Sequence, residues 1–285
     1  MSMTARQRSL TIKAIQLIVL IVAVAALVLA TNWGKVSKTF FNFGAVAPMF
    51  PDVILVGMRN TVLYTLGAFA FGLVLGLILA LMRRSDFGPY RWIATAFIEF
   101  FRGVPALLVL LVVGFGVPMA FDVKWPLGVN AVLALGLVSS AYIAETLRAG
   151  LQAVPKGQLE AARSLGMPQW RAMITIVIPQ AFKIVLPPLT NEIILLTKDS
   201  SLVYVLGVMA TQYEMTKFAN DGINQYNAGI TPLVVGGLLY LVLTLPLTAL
   251  SRWFERRTQA TSRAPKRAAE GAHASQSAKK EEVAA

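Results

Sequence analysis

Four polar residues stand close together in a stretch otherwise fit for a lipid bilayer: Asn191, Glu192, Lys198 and Asp199. Lys183 marks one end of that stretch, and Glu192 lies nine residues further on, about 13 Å at the helical rise. That depth is near mid-bilayer, where a charged side chain costs about 2.5–3.5 kcal/mol on insertion scales. Positions seven apart nearly superpose on a helix, so Asn191 and Lys198 share one face and Glu192 and Asp199 a neighbouring one. Neither stripe suits lipid. Both belong inside a bundle, lining a polar pathway or forming a structural network with Lys198 paired to a carboxylate. Two further sets, Glu99 with Arg102 and Glu145 with Arg148, have the i, i+3 spacing of helix-surface ion pairs and read as structural. No catalytic constellation accompanies them. G-x-S-x-G and H-E-x-x-H are absent, cysteine is absent, and the single His273 lies in a polar tail, so no metal site is expected. Nor is there a G-x-x-x-x-G-K-[ST] loop to cradle ATP phosphates, so any ATP-driven work must be done by another polypeptide.

The elements that hold these residues follow from composition. The chain has 285 residues, 56% hydrophobic and only 14% charged, with mean hydropathy +0.64. A soluble domain carries about 25% charged residues, so the chain reads as an all-α, polytopic membrane protein. A crossing needs about 20 apolar residues, and six stretches qualify: Ile12 to Ala30, Asn60 to Met82, Val104 to Phe121, Gly128 to Leu147, Ile184 to Met209 and Pro232 to Leu250. The first also has the basic start of a signal peptide, but its apolar run is long and no clean A-x-A site closes it, so it reads as a retained helix. Gly72 and Gly76 in the second have the spacing that lets helices approach closely. Pro187 and Pro188 make the fifth discontinuous in this reading. Residues 256–285 read as a disordered basic cytoplasmic tail.

Net charge is +12, from 26 basic and 14 acidic residues. With the N-terminus inside, one side collects Arg6, Arg8, Lys13, Arg83, Arg84, Arg91, Arg148, Lys156, Arg163, Arg171 and the tail cluster. The other holds only Lys35, Lys38, Lys124 and Lys217, with Arg59 near a span end. The positive-inside rule then puts both termini in the cytoplasm. Trp33, Trp92, Trp125 and Trp253 fall at span ends, where interfacial aromatics belong. The basic balance is explained by the membrane, with no nucleic acid.

Between the fourth and fifth spans, segment 152–171 is too polar to cross and too patterned for a linker. Leu159, Ala162 and Leu165 recur at threes around Glu160 and Arg163, and Gly166-Met167-Pro168 stops the run, as at the end of a short amphipathic helix. Such a helix must bury its apolar side against membrane, a partner's groove or its own bundle.

Glu160-Ala161-Ala162, then Gly166, then Ile176, Val177, Ile178 and Pro179 resembles the EAA signature of ABC importer permeases, with Ile-Pro where the family usually has Leu-Pro. Glu99-Phe-Phe-Arg102-Gly103-Val-Pro105, Ala141-Tyr-Ile-Ala-Glu145-Thr-Leu-Arg148-Ala-Gly150, Gly157-Gln158-Leu-Glu160 and Lys198-Asp199-Ser-Ser201-Leu202 are similar to the polar amino acid branch (histidine, glutamine, glutamate, aspartate or arginine type). The resemblance covers roughly residues 52–255. It implies a five-helix type I importer core in a bacterial plasma (inner) membrane; the N-terminal module 1–51, with one more span, and the long basic tail depart from the compact family pattern. It implies a cytoplasmic ABC ATPase dimer carrying ATP and magnesium, a second permease chain (identical or related) and an extracytoplasmic solute-binding protein. No cofactor is expected in this chain. Glu160, Ala161, Ala162 and Gly166 would couple to the ATPase, and Asn191, Glu192, Lys198 and Asp199 would line the substrate pathway. The alternatives are a secondary transporter driven by an ion gradient, which leaves the EAA block unexplained, and a non-transporting scaffold.

Overall fold

The computed structural model describes the backbone from Ala5 to Ala284 and the side chains of residues 8–258. Among the described residues every regular element is helical. In chain order the longer ones are α1 (Ala5–Ala30), α2 (Trp33–Phe40), α3 (Val53–Arg83), α4 (Gly88–Gly103), α5 (Ala106–Phe121), α6 (Leu127–Ala153), α7 (Lys156–Ser164), α8 (Gln169–Leu206), α9 (Met215–Gln225) and α10 (Thr231–Ala284), with short turns of helix at Phe43–Val46, Ala47–Met49 and Ala210–Gln212. Five are long and apolar enough to cross a membrane, and α4 with α5 passes the same test only when the bent pair is taken together, as a broken span or a re-entrant loop.

The third crossing departs from a simple span. The helices α4 and α5 meet at 106°. Pro105 cannot donate a backbone hydrogen bond and forces the residue before it out of the helical region. Val104 duly lies at φ −93, ψ 134, immediately after Gly103. The fifth crossing departs the other way. It was expected to break at Pro187 and Pro188, yet Ile178–Asp199 runs through both as unbroken α-helix. Pro187 leaves the Lys183 carbonyl without its usual donor, and Thr258 Oγ1 of α10 donates to it at 3.2 Å. A neighbouring helix supplies the bond that the proline removes.

Helix α6 is the hub. Its Ala131, Ala134, Leu135 and Val138 form a core with Tyr64 and Ala68 of α3, Val109 and Leu110 of α5, and Leu196 and Val203 of α8. Small residues set how close α3 and α6 come. A Cβ added at Gly76 would lie 2.9 Å from the Ser140 carbonyl oxygen, and one at Gly72 would lie 3.1 Å from that of Gly136. Gly72 and Gly76 thus occupy the close approach that their spacing implies.

Helix α1 differs from the rest: none of its apolar window is buried. Most of segment 256–285 lies outside the residues whose side chains are described. Its backbone continues α10 to Ala284 rather than leaving the helix at residue 256.

Candidate functional site: a polar cavity and a short exposed helix

A cavity of about 430 Å³ opens between α6, α8 and the α4–α5 elbow. Glu192 and Asp199 line it from α8, Ser139 and Tyr142 from α6, and Arg102 with Pro105 from the elbow. Of the four α8 residues singled out by depth, the structure brings two together here, those on the Glu192–Asp199 stripe. Asn191 and Lys198, on the adjacent stripe, are exposed on the single chain and do not line the cavity.

Arg102 requires a correction. Its spacing from Glu99 implied an ion pair, but Glu99 approaches Arg83 instead, at 3.8 Å. Arg83 ends α3 and reaches between α4 and α6, where its Nη1 also meets Glu145 at 2.7 Å. A guanidinium has five donors and can serve two carboxylates together. Arg102 is left at the elbow, facing the cavity, 5.9 Å from the centre of the Tyr142 ring. Glu145 and Arg148 pair as their spacing implies, Arg148 Nε donating to Glu145 at 3.0 Å and Nη1 to Gln152 at 2.7 Å. The result ties α3, α4 and α6 together through Arg83, Glu99, Glu145 and Arg148.

Sequence reasoning missed Ser139. Its side chain is buried, lines the cavity and lies beside the Glu192 carboxylate across it. The signal in the sequence is the Ser139-Ser140 pair within an apolar run. Two carboxylates and a guanidinium around one cavity suit a solute with charges of both signs, its anion on Arg102 and its cation on Glu192 and Asp199.

On the other side of the bundle, α7 begins directly after Pro155 and is closed by Gly166. Gly166 has φ +82, a left-handed conformation that costs glycine little. Its N–H donates to Arg163 O at 2.9 Å, and Met167 N–H donates to Ala162 O at 3.1 Å. These bonds satisfy the last carbonyls of the helix. Ala162 is buried, and Leu159 packs against Val154, Val177 and Ala181, so α7 is seated on the ends of α6 and α8. Glu160 and Ala161 face outward. The expected stripe Leu159–Ala162–Leu165 is divided, because α7 ends at Ser164 and Leu165 turns away to 89% exposure. Leu165 and Trp170 stand beside Glu160 in sequence as exposed apolar groups on this face of the chain.

Against known proteins, residues 72–260 match the family described as "Binding-protein-dependent transport system inner membrane component". The chain is 40% identical over 219 residues to the arginine transport system permease protein ArtQ of Bacillus subtilis (strain 168), covering 76% of this chain and 96% of that protein. It is 32% identical over 228 residues to the glutamate/aspartate import permease protein GltK of Escherichia coli O157:H7, covering 76% and 98%. Among solved structures it superposes on an amino acid ABC transporter crystallised with histidines, with TM-score 0.66, 40% identity and coverage of 73% and 94%. The MetNI methionine ABC transporter shares the fold at 22% identity and TM-score 0.57, with coverage of 75% and 98%.

Proposed function

The chain belongs to the family of binding-protein-dependent transport system inner membrane components, and on that footing we propose that it is the membrane-spanning permease of an ATP-driven importer of polar amino acids. The observation that carries this reading is α7: a short helix outside the bilayer, braced by its own bundle, with Glu160 and Ala161 exposed and Leu165 nearly bare. Small and charged groups on a rigid projection fit a groove on a partner. The chain lacks a P-loop, so that partner is the ATPase, which binds ATP and magnesium. Glu160, Ala161, Ala162 and Gly166 form the coupling unit, the first two by contact and the last two by holding the helix in place.

Force applied to α7 has a physical route inward. Leu159 packs with Val177 and Ala181, and α8 continues from these residues to Glu192 and Asp199 without interruption. Tilting α8 moves one wall of the cavity. Arg102 takes the substrate carboxylate, Glu192 and Asp199 take its ammonium or basic side chain, and Ser139 supplies a hydrogen bond. Asn191 and Lys198 face outward, where a second permease chain completes the pathway. An extracytoplasmic binding protein delivers the solute, and the N-terminus and segment 256–285 lie on the same side as α7.

The reading is tested by reconstituting the chain with its ATPase and binding protein in vesicles. ATP-dependent uptake of labelled arginine, glutamine and glutamate is then measured for the wild type and for Glu160→Lys. Uptake of at least one of these by the wild type, and its loss in an inserted, assembled Glu160→Lys complex, is the expected result. Undiminished uptake by that variant overturns the coupling role, and uptake driven by an ion gradient without ATP overturns the importer class.

A further inference from the structure

We propose that α2 and its aromatic flank form an interfacial anchor that takes anionic phospholipid headgroups on the side of the membrane opposite α7. This module precedes the family match at residue 72, and the inference concerns lipid rather than the transported solute.

The position of α2 is fixed at both ends. At its start, the last carbonyls of α1 are met by side chains beyond the helix: Thr31 Oγ1 donates to Leu27 O at 2.5 Å, and Trp33 Nε1 donates to Val28 O at 2.9 Å. Asn32 then caps α2, its side-chain oxygen accepting from Lys35 N–H at 3.0 Å. The corner is therefore hydrogen-bonded, and α2 begins three residues after a bilayer-crossing helix ends. At its far end, Thr39 O accepts from Ile230 N–H at 2.9 Å, and Asn42 N–H donates to Thr231 Oγ1 at 3.1 Å. A Cβ at Gly229 would lie 2.7 Å from Thr39 O, so the contact is close as well as bonded. The helix spans the gap between α1, whose apolar window the chain leaves unburied, and the start of α10, and two helices of membrane-crossing length thus meet at it.

Among the described residues nothing covers the outer face of α2, which has no buried residue. Trp33 and Phe40 fall on one face with Val36, while Lys35 and Lys38 fall on the other. Trp33, Phe40, Phe41 and Phe43 are 54, 39, 54 and 48% exposed. Both lysines are exposed, and neither pairs with a carboxylate among the described residues. Aromatic rings with lysines at this depth match the chemistry of the headgroup layer, apolar below and anionic above. An amphipathic helix lying in the interface is the element that such a face fits.

The test uses the full chain assembled with its ATPase in nanodiscs of mixed phosphatidylcholine and phosphatidylglycerol, one or the other carrying brominated acyl chains. The emission of Trp33 is isolated as the difference between wild type and Trp33→Phe. Brominated phosphatidylglycerol is expected to quench Trp33 more than brominated phosphatidylcholine. The local enrichment it reports is on the order of fivefold per lysine. Lys35→Gln with Lys38→Gln should equalise the two lipids and leave uptake unchanged. Equal quenching in the wild type overturns headgroup selectivity. Quenching of Trp33 by aqueous acrylamide but not by brominated lipid overturns the anchor altogether and assigns the face to water or a soluble partner.

Discussion

Glu214 has no exposed surface, yet its carboxylate accepts from the N–H groups of Thr216 and Lys217, at 2.5 and 2.7 Å, and from the Tyr240 hydroxyl at 2.8 Å. It caps the start of α9 and joins it to α10. Burial pushes its carboxyl from 4.5 up to about 7, and those donors, which favour the charged form, offset only part of the effect. Between those two values the folded chain holds the proton more tightly than the unfolded chain. The contribution of Glu214 to stability is therefore complete below about pH 4.5 and is lost as pH rises through 7. Each pH unit inside that window changes stability by up to about 1.4 kcal/mol. Melting curves of the purified complex between pH 5 and pH 8 should show Tm falling for the wild type, with a flatter profile for Glu214→Gln. A wild-type Tm that climbs relative to the variant across that range contradicts the assignment. No sequence motif marks Glu214, because its burial is created by α3 and α10, which are far apart in the chain. Glu192 and Asp199 were legible from their spacing and depth. Ser139 and Arg102 were not, since a hydroxyl brought beside Glu192 and a redirected guanidinium exist only once α6, α8 and the elbow at Pro105 are packed together.

Helix contacts account for what the pattern of apolar residues leaves open. The spans and the Gly166 stop of α7 are local features, readable from run length and turn chemistry. The continuity of α8 through two prolines is not local, since it draws on Thr258, 75 residues from Lys183. The α3–α6 contact lies between these cases: the glycine spacing is visible in the sequence, but the partner is not. It offers a direct comparison of two helical glycines. Gly76→Leu must displace the Ser140 carbonyl or Ile143, and overpacking of this kind costs about 1–3 kcal/mol. Gly237→Ala in α10 meets nothing within 4 Å and gains the helix preference of alanine, up to about 1 kcal/mol. Thermal denaturation in detergent should lower Tm for the first and hold or raise it for the second. Equal losses at both positions would mean that the α3–α6 approach is looser than the contact distances require.

At the scale of the whole molecule, the N-terminal module divides into a part that the bundle does not need and a part that it does. Helix α1 buries none of its apolar window. Val46 and Met49 are almost completely buried and pack with Val53, Ala228 and Val235. Two truncations separate these roles. Removing residues 2–31 deletes a helix that the rest of the chain leaves unburied and keeps the latch at Thr39 and the Val46–Met49 plug in place. Orientation should survive, because Arg83, Arg84, Arg91 and the basic residues of segment 152–171 remain on the α7 side. Removing residues 2–52 also empties the sites of two large apolar side chains beside α10. Truncating a buried Met to Ala alone costs about 2–5 kcal/mol. The shorter deletion should yield a complex with nearly wild-type Tm and uptake, whereas the longer one should melt several degrees lower or fail to assemble. If the shorter deletion alone abolishes assembly, α1 holds a contact in the complex that the single chain does not reveal, and its lipid-facing placement is wrong. If both deletions are neutral, the Val46–Met49 cluster is dispensable and the bundle proper begins at α3.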